Sequence, residues 1–151
     1  MAIRQIRVEG DEVLRKKSKE VKVFDEALSE LIDDMFETMY EANGVGLAAP
    51  QVGILKRIFV VDIGEGPVEC INPVIISTDG EQFGEEGCLS LPGKWSNVRR
   101  PNHVKLRAQD RKGDLYEIEG YELMARALLH ENDHLDGQLY IDIAEGEVFE
   151  G

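Results

Sequence analysis

His130, Glu131 and His134, in the run HENDH, are residues whose types and spacing read directly as chemistry. Four positions along an α-helix correspond to about 400 degrees of rotation and roughly 6 Å of rise, so both imidazoles project from nearly one side and can grip a single metal ion. Glu131 lies about 100 degrees further round, which puts a carboxylate beside the open position of that ion without making it a ligand. This is the HExxH arrangement of metallohydrolases, in which a cation activates water and the carboxylate moves its proton. Two helical histidines can also be plain core residues. A hydrolytic reading therefore requires a third protein ligand, with a fourth position left for water.

The residues alone leave that ligand open. A glutamate from a further helix, as in thermolysin-like enzymes, needs more chain than follows His134. HENDHLDGQLY fits the longer pattern HExxHxxGxxH at every fixed position but the last, where Tyr140 stands, and tyrosine is an uncommon ligand. Upstream, Cys88 in GEEGCLSLPG would complete a Cys-His-His site, although a lone cysteine is more often a small buried hydrophobe.

Helices and strands have to position these groups. A helix over 122–135 places Leu123, Ala127, His130 and His134 on one face, with Gly137 set to end it. A second amphipathic helix is expected between Asp25 and Ala42, where Leu28, Leu31, Ile32, Met35 and Met39 recur at spacings of three and four, with Asp25 as cap and Gly44 as stop. RIFVVDI (57–63) reads as a buried strand, VECINPVIIS as more extended chain, and the alternating segments 103–108 and 115–119 as a hairpin. The stretch around Cys88 is rich in turn-formers, and the acidic tail IAEGEVFEG is expected to be loosely held. The expected fold is α+β, antiparallel strands packed around a central helix that carries HExxH, in one domain over 1–151.

Composition narrows the function classes. Thirty acidic against 17 basic residues give a net charge of -13, which disfavours direct nucleic-acid binding. No run approaches the roughly 20 apolar residues of a spanning helix, and nothing at the start resembles a signal peptide, so a cytoplasmic location is expected. In that compartment a buried structural thiol or a metal ligand is expected of Cys70 and Cys88 rather than a disulfide.

Three segments together resemble the signature motifs of the peptide deformylase family: GVGLAAPQVG (44–53), EEGCLSLPG (85–93) and HENDHLDG (130–137), in the family's order. The opening DEVLRKKSKEV is similar to family N-termini as well, so the likeness covers nearly the whole chain. The resemblance implies a metal-dependent hydrolase that removes the formyl group from N-terminal formyl-methionine of newly synthesised polypeptides. It implies Cys88, His130 and His134 as ligands of one divalent ion, Fe(II) natively, with Zn(II), Ni(II) or Co(II) as alternatives suited to one thiolate and two imidazoles. Glu131 becomes the proton carrier, and the Gln51 amide with the Leu89 backbone N–H become donors to the oxyanion. Gly46 matches the glycine whose backbone aligns substrate; with Val45, Leu123, Ala127 and part of Arg126 it would line a slot for the methionine side chain.

Partners implied are formyl-methionyl nascent polypeptides, with the ribosome a further candidate that the acidic charge does not support; a monomer is expected. Glu86 and Arg100 are expected to pair and hold the Cys88 loop against Gln51, and Asp133 to fix a ligand ring or face solvent, a structural role being preferred. His103 matches no motif. The chain departs from the family pattern at Leu129, where glutamine is common, at Trp95, and in lacking a long C-terminal helix. Two other readings are a small metalloprotease using Tyr140 or an acidic third ligand, and a related protein that binds without catalysis. The second leaves Glu131 without a purpose.

Overall fold

The computed structural model describes residues 2–150. Helix α1 spans Glu26–Glu41 and buries the expected stripe of Leu28, Leu31, Ile32, Met35 and Met39. Its start is capped by Asp25, whose side chain accepts the Leu28 N–H at 3.0 Å. The helix ends at Glu41, three residues before the expected glycine, and Asn43 takes the left-handed conformation at φ 58. Gly44 is needed for space instead, since a Cβ there would lie 2.6 Å from Leu89 Cδ1.

Eight strands follow among the described residues: β1 (Gly46–Ala48), β2 (Ile58–Val61), β3 (Val68–Asp79), β4 (Gln82–Cys88), β5 (Leu91–Arg100), β6 (His103–Gln109), β7 (Leu115–Tyr121) and β8 (Ala144–Glu150). They form a five-stranded sheet in the order β1-β2-β3-β6-β7 and a three-stranded sheet in the order β4-β5-β8. All neighbours are antiparallel. The expected hairpin is β6 and β7, paired from His103 with Tyr121 to Gln109 with Leu115.

Two expectations are corrected. The turn-rich segment around Cys88 is a β-hairpin, with β4 and β5 joined at Leu89 and Ser90. Its strand signal is masked because the inward position on β4 is the charged Glu86 and two other positions are glycines. The acidic tail is not loose: it is β8, paired along β5, with Phe149 stacked on Trp95 at 4.3 Å between ring centroids.

Helix α2 (Leu123–His134) packs against β1, β2, β6 and β7 of the larger sheet and β5 of the smaller one. Ala125, Leu128 and Leu129 enter the core formed by Phe59, Val61 and Leu106. Leu129 is thus buried in that core. No helix among the described residues is long and apolar enough to cross a membrane.

The chain leaves α2 through Gly137, at φ 75, whose N–H donates to the His134 carbonyl at 3.1 Å. A Cβ at Gly137 would lie 2.5 Å from the Arg15 carbonyl oxygen, so backbone conformation and close approach both require glycine. Gly137→Ala is expected to lower unfolding free energy by at least about 1 kcal/mol in urea titration; an unchanged midpoint would contradict this role.

Candidate active site

Three elements supply the site. Helix α2 brings His130, Glu131 and His134, all buried; the end of β4 brings Cys88; and the short 3-10 turn Ala49–Val52 brings Gln51. One ligand atom from each of Cys88, His130 and His134 lies within 4.8 Å of the others. The Cys88 Sγ is 3.3 Å from His134 Nε2. Tyr140 is not in that group: its ring stacks on the His130 ring with centroids 6.0 Å apart.

The donor set fits a divalent cation, as one thiol and two imidazoles converge. His130 Nδ1 donates to Glu86 Oε1 at 2.5 Å, which leaves Nε2 as the free lone pair. The Glu131 carboxylate stands 3.9 Å from that same Nε2, beside the ligand atoms, and its Oε1 has no protein partner. Burial pushes the Glu131 carboxyl up to about 7. A cation held by the neighbouring ligands would pull it back down.

Without such a cation the two imidazoles divide one charge between them. Burial disfavours protonation of His130, but the Glu131 charge and hydrogen bonds with Cys88 and Glu86 outweigh it and raise its pKa well above the ordinary value. Burial and the His130 charge together hold His134 well below that value. A ligand imidazole must be neutral, so metal binding displaces the His130 proton.

Glu86 is the hub of a buried ionic cluster. Besides His130 it accepts from Arg100 at 2.6 and 3.2 Å and from Arg126 at 2.7 Å. Burial alone would raise its pKa, yet the His130 and Arg100 hydrogen bonds hold it at about 2. The expected pairing of Glu86 with Arg100 is present, and the same carboxylate also bonds the His130 ring. Asp133 accepts from Arg100 at 2.6 Å, the structural role preferred for it.

Gln51 is oriented by its own neighbours. Its Oε1 accepts the Ala48 N–H at 2.9 Å, so Nε2 is turned toward Ser90 Oγ at 3.1 Å and Cys88 Sγ at 3.5 Å. The N-terminal segment fixes the backbone on both sides: Arg7 N donates to the Gln51 carbonyl and Glu9 N to the Ser90 carbonyl, each at 2.7 Å.

The ligands open onto a cavity of about 440 Å³ whose lining includes Val45, Gly46, Gln51, Leu89, Leu123 and Ala127. Gln51, Leu89, Glu131, Gly46, Val45, Leu123 and Ala127 are thus at this cavity, and Cys88, His130 and His134 form the ligand cluster, whereas Tyr140, Arg100 and Asp133 belong to neither. Trp95 does not line it; the ring lies over Phe149 instead. Gly46 has a second consequence, since a Cβ there would collide with the Glu131 carboxylate, 2.9 Å from its carbon. Ser90 and the Glu86 partner Arg126 were not legible as such. A cation one helical turn before a histidine ligand was the available signal for Arg126.

A helix-borne HExxH with a strand-borne thiol beside an open cavity defines a metallohydrolase of α+β architecture. The sequence pattern of the polypeptide deformylase family matches residues 3–148. A peptide deformylase of Clostridium botulinum is 66% identical over 142 residues, covering 94% of this chain and 97% of that one. One from Agathobacter rectalis is 62% identical over 148 residues, covering 98% and 94%. Among solved structures, the peptide deformylase of Thermotoga maritima superposes with a TM-score of 0.93 at 48% identity, covering 95% and 99%. That of Ehrlichia chaffeensis, solved in complex with actinonin, gives 0.94 at 36% identity over 96% and 90%. The chain belongs to the polypeptide deformylase family.

Because Glu86 fixes the His130 ring, Glu86→Gln is expected to weaken Zn(II) affinity by roughly 10- to 100-fold in chelator competition. Unchanged affinity in a folded variant would show that the ring needs no such partner.

Proposed function

We propose that this site hydrolyses the N-formyl amide of formyl-methionyl polypeptides and releases formate, with one divalent cation held by Cys88, His130 and His134. The observation that carries the reading is the convergence of those ligand atoms beside a buried, unpartnered Glu131 oxygen at the floor of an open cavity. A cation held there would polarise the formyl carbonyl and lower the pKa of water, and so would supply a nucleophile near neutral pH.

The chain's own groups do the rest. Glu131 accepts the proton of the attacking water and returns it to the departing amine, two transfers within reach of one carboxylate. As the carbonyl carbon becomes tetrahedral, its oxygen gains charge, and the Gln51 Nε2 with the Leu89 N–H would donate to it. Such a donor typically contributes about 3 kcal/mol in the transition state. The Ala48 N–H fixes the Gln51 amide so that its nitrogen faces Cys88 and Ser90, on the side of the ligand cluster.

The cavity also has the form of a peptide site. β1 lies at one edge of the larger sheet and β4 at one edge of the smaller, and residues of both line it. An extended substrate can hydrogen-bond to such free edges with its main chain. Leu123, Ala127, Val45 and Gly46 then flank the methionine side chain. We take Fe(II) as the native metal, with Zn(II), Ni(II) and Co(II) compatible with the same donors. The enzyme is read as a cytoplasmic monomer with one catalytic domain over 1–151, acting on nascent polypeptides; its net charge of -13 gives no support to direct RNA contact.

Anaerobically prepared protein loaded with Fe(II) is expected to release formate from a formyl-methionyl peptide. Glu131→Gln should keep the metal and lose roughly 100- to 10,000-fold in kcat. Gly46→Ala, which displaces the Glu131 carboxylate, should also keep the metal and lose at least roughly tenfold in kcat. Absence of formate from a folded, metal-loaded protein would overturn the reading.

A further inference from the structure

The two imidazoles of the ligand cluster are not supported alike. His130 donates its Nδ1 proton to Glu86. His134 turns Nε2 toward Cys88 Sγ at 3.3 Å, so when Nε2 serves as a metal ligand the ring proton belongs on Nδ1. That nitrogen is buried and, among the described residues, has no hydrogen-bond partner. A histidine that holds a metal almost always gives its second ring N–H to a carboxylate, a carbonyl or water, which fixes both tautomer and ring plane. His134 therefore requires an acceptor on its Nδ1 side.

Helix α2 ends at His134, and residues 15–19 wrap around that end. The Arg15 carbonyl abuts Gly137, the Ser18 N–H donates to the Leu135 carbonyl at 2.8 Å, and the Lys19 N–H donates to the Leu55 carbonyl at 3.0 Å. Within the charged run 15–20, Ser18 alone turns inward; the other residues of the run are exposed. Its Oγ is buried and, like His134 Nδ1, has no partner among the described residues. A hydroxyl taken out of water without a hydrogen bond costs free energy that an alanine at the same place would not. One orphaned donor and one orphaned acceptor thus lie at the same end of α2, with Ser18 hydrogen-bonded to the residue that follows His134.

The other buried, unpartnered side-chain atoms of this region face elsewhere. Glu131 lines the cavity. Asn132 precedes His134 by two positions, which sets its side chain about 200 degrees round the helix. Tyr140 packs against Cys88, the group that Nε2 faces, and so lies away from Nδ1.

We propose that Ser18 is a positioning residue for His134. One buried water accepts the Nδ1 proton and donates to the Ser18 Oγ, which holds the ring with Nε2 toward Cys88 and the metal position. Since neither atom has a direct protein partner, a water is the link, and two orphaned polar groups give it the partners that a buried water needs. Such a bridge is nearly as favourable as a direct hydrogen bond. The inference rests on the reading of Cys88, His130 and His134 as metal ligands, and it assigns the N-terminal segment a part in a metal site that it does not touch.

The test uses the whole protein, nitrogen-15 labelled and loaded with one equivalent of Zn(II), and follows the histidine ring N–H signals by NMR. The unaltered protein is expected to show a His134 Nδ1–H signal protected from exchange with solvent at neutral pH. Ser18→Ala should shift or broaden that signal, leave the His130 signal in place, and weaken Zn(II) binding roughly tenfold in chelator competition. Ser18→Thr, which keeps the hydroxyl, should restore both. An unchanged His134 signal and Zn(II) affinity in Ser18→Ala, or no protected His134 signal in the unaltered protein, would overturn the proposal while leaving the metal site intact. Equal losses in the alanine and threonine variants would assign the effect to packing and overturn it as well. Failure of the unaltered protein to bind Zn(II) would overturn the reading of the ligand cluster itself.

Discussion

A buried carboxylate among three cationic or proton-donating groups is the interaction on which the site depends. Removing Glu86 from water costs several kcal/mol, and that cost is offset only while Arg100, Arg126 and His130 all remain in place. Those partners come from β5 and from two successive turns of α2, while Glu86 itself belongs to β4. One ionic cluster therefore locks the smaller sheet onto the helix packed against the larger sheet. Since Cys88 is two residues beyond Glu86, the same contact sets the distance between the thiol and the two imidazoles.

The electrostatics of the site follow from that arrangement. Glu86 fixes the protonated nitrogen of His130 and frees the other for a metal. Glu131 has no such partners, so burial lifts its pKa toward neutrality, where a carboxylate can both take and return a proton. Two glutamates on either side of one imidazole thus have opposite tasks, and what separates them is the presence of the arginines. Around them, glycines are used for clearance: Gly46 admits the Glu131 carboxylate and Gly44 admits the Leu89 side chain.

The sequence was most informative where chemistry or periodicity is local. HENDH specified its own helix geometry, α1 showed its apolar stripe and its Asp25 cap, and β6 with β7 showed alternation around a turn. It was least informative where the fold inverts the usual pattern. β4 buries a glutamate and carries glycines, so it reads as a loop, and β8 is acidic and draws its order from pairing with β5 rather than from propensity. From spacing alone Cys88 and Tyr140 remained rival ligands; the hairpin that swings Cys88 to α2 is a long-range event that no local pattern encodes. The same holds for Ser90 and Arg126, whose partners lie 39 and 40 residues away in the chain.

The account stands on a single cation bound by one thiolate and two imidazoles. Anaerobic titration of the metal-free protein with Co(II), followed by absorption spectroscopy, tests it most directly. One equivalent should bind with a thiolate-to-cobalt charge-transfer band that is absent in Cys88→Ser. Tight binding of cobalt without that band, or with the band intact in Cys88→Ser, would contradict the assigned metal site.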